Sequence, residues 1–310
     1  MAVSEPLRII CGPTGAGKSA LAMALARVHA ATIISADSRQ IYRGFDIGTA
    51  KPTPRELREV QHRGIDVCGP TERYSAAKWA EAARDWIEES VAAERTPLVV
   101  GGAGLYLRAL VEPLFDEPPL DPERRIAVEA ALETFSVSEL RRWCEQLDPA
   151  RAHLGRTQLL RAITVSLLSG TPISAWHARE PRAPGVAARY LVVDPGAGLS
   201  ARLDARLLAM LEMGWEWEVE HLLHTVPADA PAWNGTGYRW IRSALMKECS
   251  REDALAKVRI DTRQYAKRQR TWFRHQLPPA RVSRIDPNAP DALERAMSWW
   301  TATDDGGVLA

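Results

Sequence analysis

Cysteine is scarce in this sequence and scattered. Cys11, Cys68, Cys144 and Cys249 are the only four in 310 residues and form no Cys-x-x-Cys pair. That argues against a zinc site and a disulfide scaffold, and a reduced, cytoplasmic compartment is expected. His221 and His224 share a helical stretch, but no third ligand accompanies them. No apolar run approaches the 18 or so residues needed to cross a bilayer. The opening stretch, Met1 to Leu7, carries Glu5 and Pro6 and lacks the form of a signal peptide, so no membrane partner is expected. Net charge is only +1, so bulk charge gives no reason to expect a nucleic-acid partner. Such a partner would have to be met by local clustering. Internal repeats and low-complexity segments are absent, and only the Asp-Gly-rich tail, 303–310, reads as disordered. What remains is 46% hydrophobic and 25% charged residues, a globular composition with a real core and a length that suits about two domains.

Short apolar runs alternate with helical stretches. Leu7 to Cys11 reads as a buried strand, Ser19 to Ala30 as a helix, and Thr32 to Ala36 as a second strand ending on Asp37. Ser75 to Ala93 reads as a helix and Pro97 to Val100 as a third strand, stopped by Gly101-Gly102. Strands alternating with helices point to an α/β fold with a parallel sheet flanked by helices. The pattern then changes. Pro113, Pro118, Pro119 and Pro122 break the chain, and Pro122 to Leu168 is helical and charged with no strand-like run. Tyr190 to Asp194 restores a strand, and helices are expected at Leu199 to Leu223 and Asp253 to Trp272. The expected organisation is therefore an α/β core over 1–112 and 187–310, with a helical insertion over 113–186.

One segment carries chemistry by itself. Gly12-Pro13-Thr14-Gly15-Ala16-Gly17-Lys18-Ser19 fits the phosphate-loop pattern G-x-x-x-x-G-K-[ST] between a strand and a helix, the context that supports it. Glycines let backbone N–H groups converge on phosphate oxygens, and the following helix offers its positive end. Lys18 adds a charge, and the Ser19 hydroxyl can ligate Mg²⁺. Nucleotide hydrolases normally add an Asp after an apolar strand to hold that Mg²⁺. Here Leu98-Val99-Val100 runs into Gly101-Gly102 instead, which weakens the hydrolase reading.

Asp37 ends the second strand, at the edge where open α/β sheets bind ligands. Its carboxylate suits Mg²⁺ binding or proton abstraction, or it only caps a turn. Further on, Arg263, Lys267, Arg270 and Arg274 fall at helical spacing on one face, suited to a phosphate backbone or simply to a solvated surface. Trp272 and Phe273 are available to stack or pack.

Five segments together resemble the bacterial-type tRNA dimethylallyltransferases, also called tRNA isopentenyltransferases. They are Gly12 to Ser19, Asp37 to Tyr42 continuing through Asp46 to Pro52, Gly101 to Tyr106, Gly235 to Arg239, and Thr262 to Gln269 with Thr271 to Arg274. The resemblance implies a P-loop NTPase-like parallel sheet core with an inserted all-helical tRNA-binding domain. It implies that the loop, residues Gly12 to Ser19, holds dimethylallyl diphosphate with Mg²⁺ on Ser19. Asp37 is then the general base on the exocyclic amine of the adenosine 3′ to the anticodon, with Ser19 and Arg206 assisting the leaving group. The expected partners are the tRNA anticodon stem-loop and dimethylallyl diphosphate, and the chain is expected to act as a monomer. The residues implied in tRNA contact are Asp37, Ser38, Arg39, Gln40, Ala103, Arg125, Gln158, Arg161, Gly237, Tyr238, Arg239, Arg263, Gln264, Lys267, Arg268 and Gln269.

The chain departs from the family pattern at two of these. Ala103 stands where a Thr is usual, removing a hydroxyl, and Gln158 stands where an Arg is expected. Both departures bear on tRNA contact and not on the reaction type. Three alternatives remain: a prenyltransferase acting on free adenine nucleotides, a P-loop nucleotide kinase, and an RNA-binding module with an inactive site.

Overall fold

The computed structural model describes residues 5–112, 118–179 and 186–302. The tail 303–310 and Pro113, to which expectations were attached above, lie outside them. The chain divides into two compact units, one formed by Met1–Val111 with Val186–Ala310 and the other by Glu112–Gly185.

The first unit is built on a six-stranded sheet in the order β3-β2-β4-β1-β5-β6, with every pair parallel. Its strands are β1 (Leu7–Cys11), β2 (Ala31–Ala36), β3 (His62–Arg63), β4 (Thr96–Gly101), β5 (Ala188–Val193) and β6 (Val282–Ile285). The central strands are mostly apolar and largely buried, as a parallel sheet covered on both faces requires. Ile10, Leu25, Ile33, Leu98, Val100 and Leu191 form one side of the core, closed by Trp299 and Trp300 of the last helix, Ala292–Thr301. That helix, β3 and β6 go beyond the elements expected from the sequence.

Register places the functional edge. Cys11 of β1 and Ala36 of β2 both pair with Gly101 of β4, which lies between them. Gly12 and Asp37 therefore leave the sheet side by side on one edge, two strand spacings or about 9–10 Å apart. That gap is wide enough for a small ligand and narrow enough for both segments to touch it.

Four helices of this unit line or support that edge: α1 (Lys18–Val28), α9 (Leu199–Glu212), α10 (Trp215–Thr225) and α12 (Arg251–His275). The stretch Leu199 to Leu223, expected as one helix, is broken at Gly214, whose φ of +92° caps α10. The apolar spacing continues across the break, so periodicity alone conceals it. The remaining helices here are α2 (Pro54–Glu59), α3 (Ala76–Ala92), α4 (Gly104–Val111), α11 (Tyr238–Leu245) and α13, the last helix named above.

The second unit is all helical: α5 (Pro122–Glu133), α6 (Val137–Leu147), α7 (Arg156–Ser169) and α8 (Ile173–Arg179). Its own core gathers Leu132, Leu140, Cys144, Leu159, Ile163, Val165 and Ile173. Ser136 and Glu139 form a reciprocal cap at the start of α6, an arrangement that satisfies otherwise orphaned N–H groups.

Candidate active site

The loop after β1 turns because glycine permits it. Gly12 has φ +143° and approaches β5 so closely that a Cβ there would lie 2.2 Å from the Val193 carbonyl oxygen. Gly17, at φ +94°, caps α1, whose first N–H groups have no partner inside the helix. Three side chains brace the loop. Lys18 Nζ donates to the Pro13 carbonyl at 2.7 Å, and Arg202 Nε to that of Gly15 at 3.0 Å. Gln269 accepts from Thr14 N–H and donates to the Gly102 carbonyl, both at 2.8 Å.

The hollow at this loop is lined by Gly15, Gly17, Lys18, Ser19, Arg202 and Arg206. Ser19 is exposed there. Arg206 also lines the adjoining cleft, together with Asp37, Arg39, Thr14, Thr262 and Tyr265. Burial lowers the Lys18 ammonium to about 8, an effect that Asp37 opposes and Arg206 reinforces. The Arg206 guanidinium is likewise lowered by burial and supported by Asp37. It makes no salt bridge among the described residues. Two half-buried cations thus face a single carboxylate, leaving an excess of positive charge that an anion would neutralise. Cys11, beneath the loop, is pushed up to about 12 by burial, so its thiol stays protonated and inert.

Asp37 has a divided role. Its Oδ1 accepts the Arg39 N–H at 2.8 Å, a turn cap, while Oδ2 makes no hydrogen bond among the described residues. The cap fixes the carboxylate and leaves one oxygen available. Beside it the Tyr265 phenol is pushed upward by burial and by the Asp37 charge, so it remains a neutral hydroxyl. The far wall of the cleft is apolar, built from Leu203, Leu207 and Met210 of α9, Val258 of α12 and Trp215 of α10. An anion hollow, a free carboxylate oxygen and an apolar wall therefore adjoin one another.

Residues 40–276 match the IPP transferase family model. The chain belongs to the IPP transferase family. It is 39% identical over 278 residues to the tRNA dimethylallyltransferase of Acaryochloris marina, covering 86% of this chain and 89% of that one. With the tRNA dimethylallyltransferase of Halorhodospira halophila it is 38% identical over 316 residues, covering 99% and 100%. Among solved structures it is similar to the tRNA isopentenylpyrophosphate transferase of Bacillus halodurans. That match has a TM-score of 0.67 and 30% identity, covering 95% and 94% of the two chains.

Several residues that the resemblance assigns to tRNA contact have other duties in this IPP transferase. Gln269 is buried, and its carboxamide is used on Thr14 and Gly102. Gln40 accepts from Ser35 Oγ at 2.9 Å and donates to the carbonyls of Thr49 and Ala50 at 3.2 and 2.9 Å, shaping the turn after Asp46. Tyr238 is fully buried and donates its hydroxyl to Glu218 at 2.6 Å. Glu218, itself buried, accepts the N–H groups of Asp46 and Ile47 at 3.0 and 2.6 Å. Gly237 packs under Trp215 and caps α11. Gln269, Tyr238 and Gly237 are buried and Gln40 is half-buried, so these four positions support the site from within the fold.

The basic stretch is also partly used internally. Arg263 pairs with Asp204 at 2.7 Å and Arg239 with Asp261 at 2.7 Å. Arg270 donates to both carboxylate oxygens of Asp194, just past β5. Phe273 is buried, and Trp272 packs over Gly104. Gln264, Lys267, Arg268 and Arg274 remain exposed on α12. Ser38 and Arg39 are half-buried beside Asp37, and the Ala103 N–H donates to the Ala36 carbonyl at 3.1 Å. In the helical unit Gln158 and Arg161 are exposed on α7, whereas Arg125 is paired with Glu129 at 2.8 Å.

Thr262, Tyr265 and the apolar wall were not anticipated. The clue lay in spacing: Thr262, Tyr265 and Gln269 recur at i, i+3 and i+7, which places them on one helix face. Since Gln269 meets the loop, its face-mates meet the cleft.

Proposed function

We propose that this protein transfers a dimethylallyl group from dimethylallyl diphosphate to the exocyclic amine of the tRNA adenosine 3′-adjacent to the anticodon. The observation that carries the reading is the pairing of an over-cationic phosphate hollow with an available carboxylate oxygen across one cleft. The diphosphate would lie on the Gly12–Ser19 loop, met by Lys18, Arg206 and the start of α1. Preorganised charge of this kind stabilises a leaving group as negative charge develops on it. The allylic C–O bond breaks, the amine nitrogen forms the new C–N bond, and Asp37 Oδ2 receives the amine proton. The Arg39 N–H cap holds the carboxylate in position.

Among the described residues no three His, Cys, Asp or Glu side chains cluster as a metal site. The exposed Ser19 hydroxyl nonetheless suits a hydrated Mg²⁺ that takes its other ligands from a diphosphate and water. When bound, that ion supplies charge neutralisation on the leaving group. The adenosine must leave its stack to reach Asp37, which costs least in a single-stranded loop. Exposed Lys267, Arg268 and Arg274 on α12, and Arg161 on α7, supply the charge that tRNA needs in a protein of net charge +1.

The absence of an acidic residue after β4, which ends in Gly101, disfavours a nucleotide kinase. Incubating the protein with dimethylallyl diphosphate and either tRNA or AMP, followed by mass analysis of the adenosines, tests the reading. Prenylated adenosine in tRNA alone is expected. Prenylated AMP, or ATP turnover with no prenyl transfer, would overturn it.

A further inference from the structure

The apolar wall includes Trp215. This side chain is 1% exposed and wedged between two backbone segments. A Cβ on Gly48 would lie 2.2 Å from its Nε1, and one on Gly237 2.5 Å from its outer ring carbon. The Tyr238 ring meets it edge-on, with centroids 5.4 Å apart. Held on these sides, the indole cannot swing away, and it contributes to the cleft beside Met210 and Val258. Its buried N–H has no acceptor among the described residues.

Resting on the proposal that the cleft receives a prenyl diphosphate, we infer that Trp215 sets the length of the prenyl chain by ending the apolar part of the cleft after one isoprene unit. The physical need for such a stop is clear. Each further buried methylene strengthens binding roughly fourfold, so an open-ended apolar channel would favour a ten-carbon geranyl chain over a five-carbon one. Preference for the short chain therefore requires a wall that makes the longer one clash. A rigid side chain locked by two glycines provides it.

The test uses the full chain, a tRNA substrate, and dimethylallyl or geranyl diphosphate. In the wild type, geranyl diphosphate should compete with dimethylallyl diphosphate at least tenfold more weakly than unlabelled dimethylallyl diphosphate does. In Trp215→Leu, the geranyl-to-dimethylallyl ratio of kcat/KM should rise by about tenfold or more, and in Trp215→Phe by a smaller factor. The wild-type competition stands even if a variant fails to fold: equal or tighter geranyl binding there overturns the inference. Unchanged ratios in folded variants of an active enzyme overturn it alone. A wild type that transfers neither group overturns the proposed function and this inference with it.

Discussion

Gln269 accepts the Thr14 N–H at 2.8 Å, tying the helix that follows the catalytic edge to the centre of the phosphate loop. The same carboxamide donates to Gly102, so one side chain spans the two segments that flank the cleft. Gln269→Leu should leave both backbone groups unpaired, at a cost of about 1–3 kcal/mol for each buried group. Denaturant unfolding should report that loss, and KM for dimethylallyl diphosphate should rise while the Kd for tRNA stays within about threefold. Loss of tRNA affinity with a normal diphosphate KM would return Gln269 to a tRNA-contact role.

Lys18 gives the site a pH dependence of known sign. Its folded value, about 8, lies below the ordinary lysine value of 10.5. The free enzyme thus loses this cation as pH rises through about 8, and kcat/KM for the diphosphate should fall there. Because the fold favours the neutral amine, the stability of the ligand-free protein should rise as pH goes from about 8 towards 10.5. Arg206 lowers Lys18 further, so Arg206→Ala should move the alkaline limb of kcat/KM to higher pH while reducing its plateau roughly 10²–10³-fold. A limb that stays in place would dissociate it from Lys18.

Arg161 is exposed on α7 of the helical unit. A cation that neutralises one RNA phosphate contributes roughly 0.7–0.9 to the slope of log K against log salt. Arg161→Ala should raise KM for tRNA and flatten that slope by about this amount, leaving single-turnover chemistry at saturation intact. Salt titration of tRNA binding measures it, and an unchanged slope would remove Arg161 from the interface.

The parts of this site that were legible in the sequence are those whose chemistry is local. Gly12 and Gly17 adopt backbone angles that other residues rarely take, and Lys18 and Ser19 follow at fixed offsets, so the loop can be read from eight consecutive letters. Asp37 was legible because a strand end can be read from an apolar run. The duties of Gln40, Gln269 and Tyr238 were not, because their partners are set by tertiary packing: Thr14 lies 255 positions from Gln269. A motif containing a polar residue does not say whether it faces a ligand or the protein interior. The same holds for Arg263 and Arg270, whose helical spacing does not reveal that Asp204 and Asp194 pair with them. At two residues β3 is too short to show a period, and β6, Val-Ser-Arg-Ile, becomes a strand only because β5 offers an edge.

The central claim is that Asp37 receives the amine proton in the cleft where the diphosphate departs. Asp37→Asn preserves size and retains an oxygen for the Arg39 N–H cap, but it removes the basicity. Single-turnover transfer at saturating tRNA and dimethylallyl diphosphate measures the chemical step directly. A fall of roughly 10²–10⁴-fold is predicted, with tRNA affinity and thermal stability little changed. Near-normal turnover by Asp37→Asn would contradict the account, reducing Asp37 to a turn cap and leaving the allylic cation to react without a base.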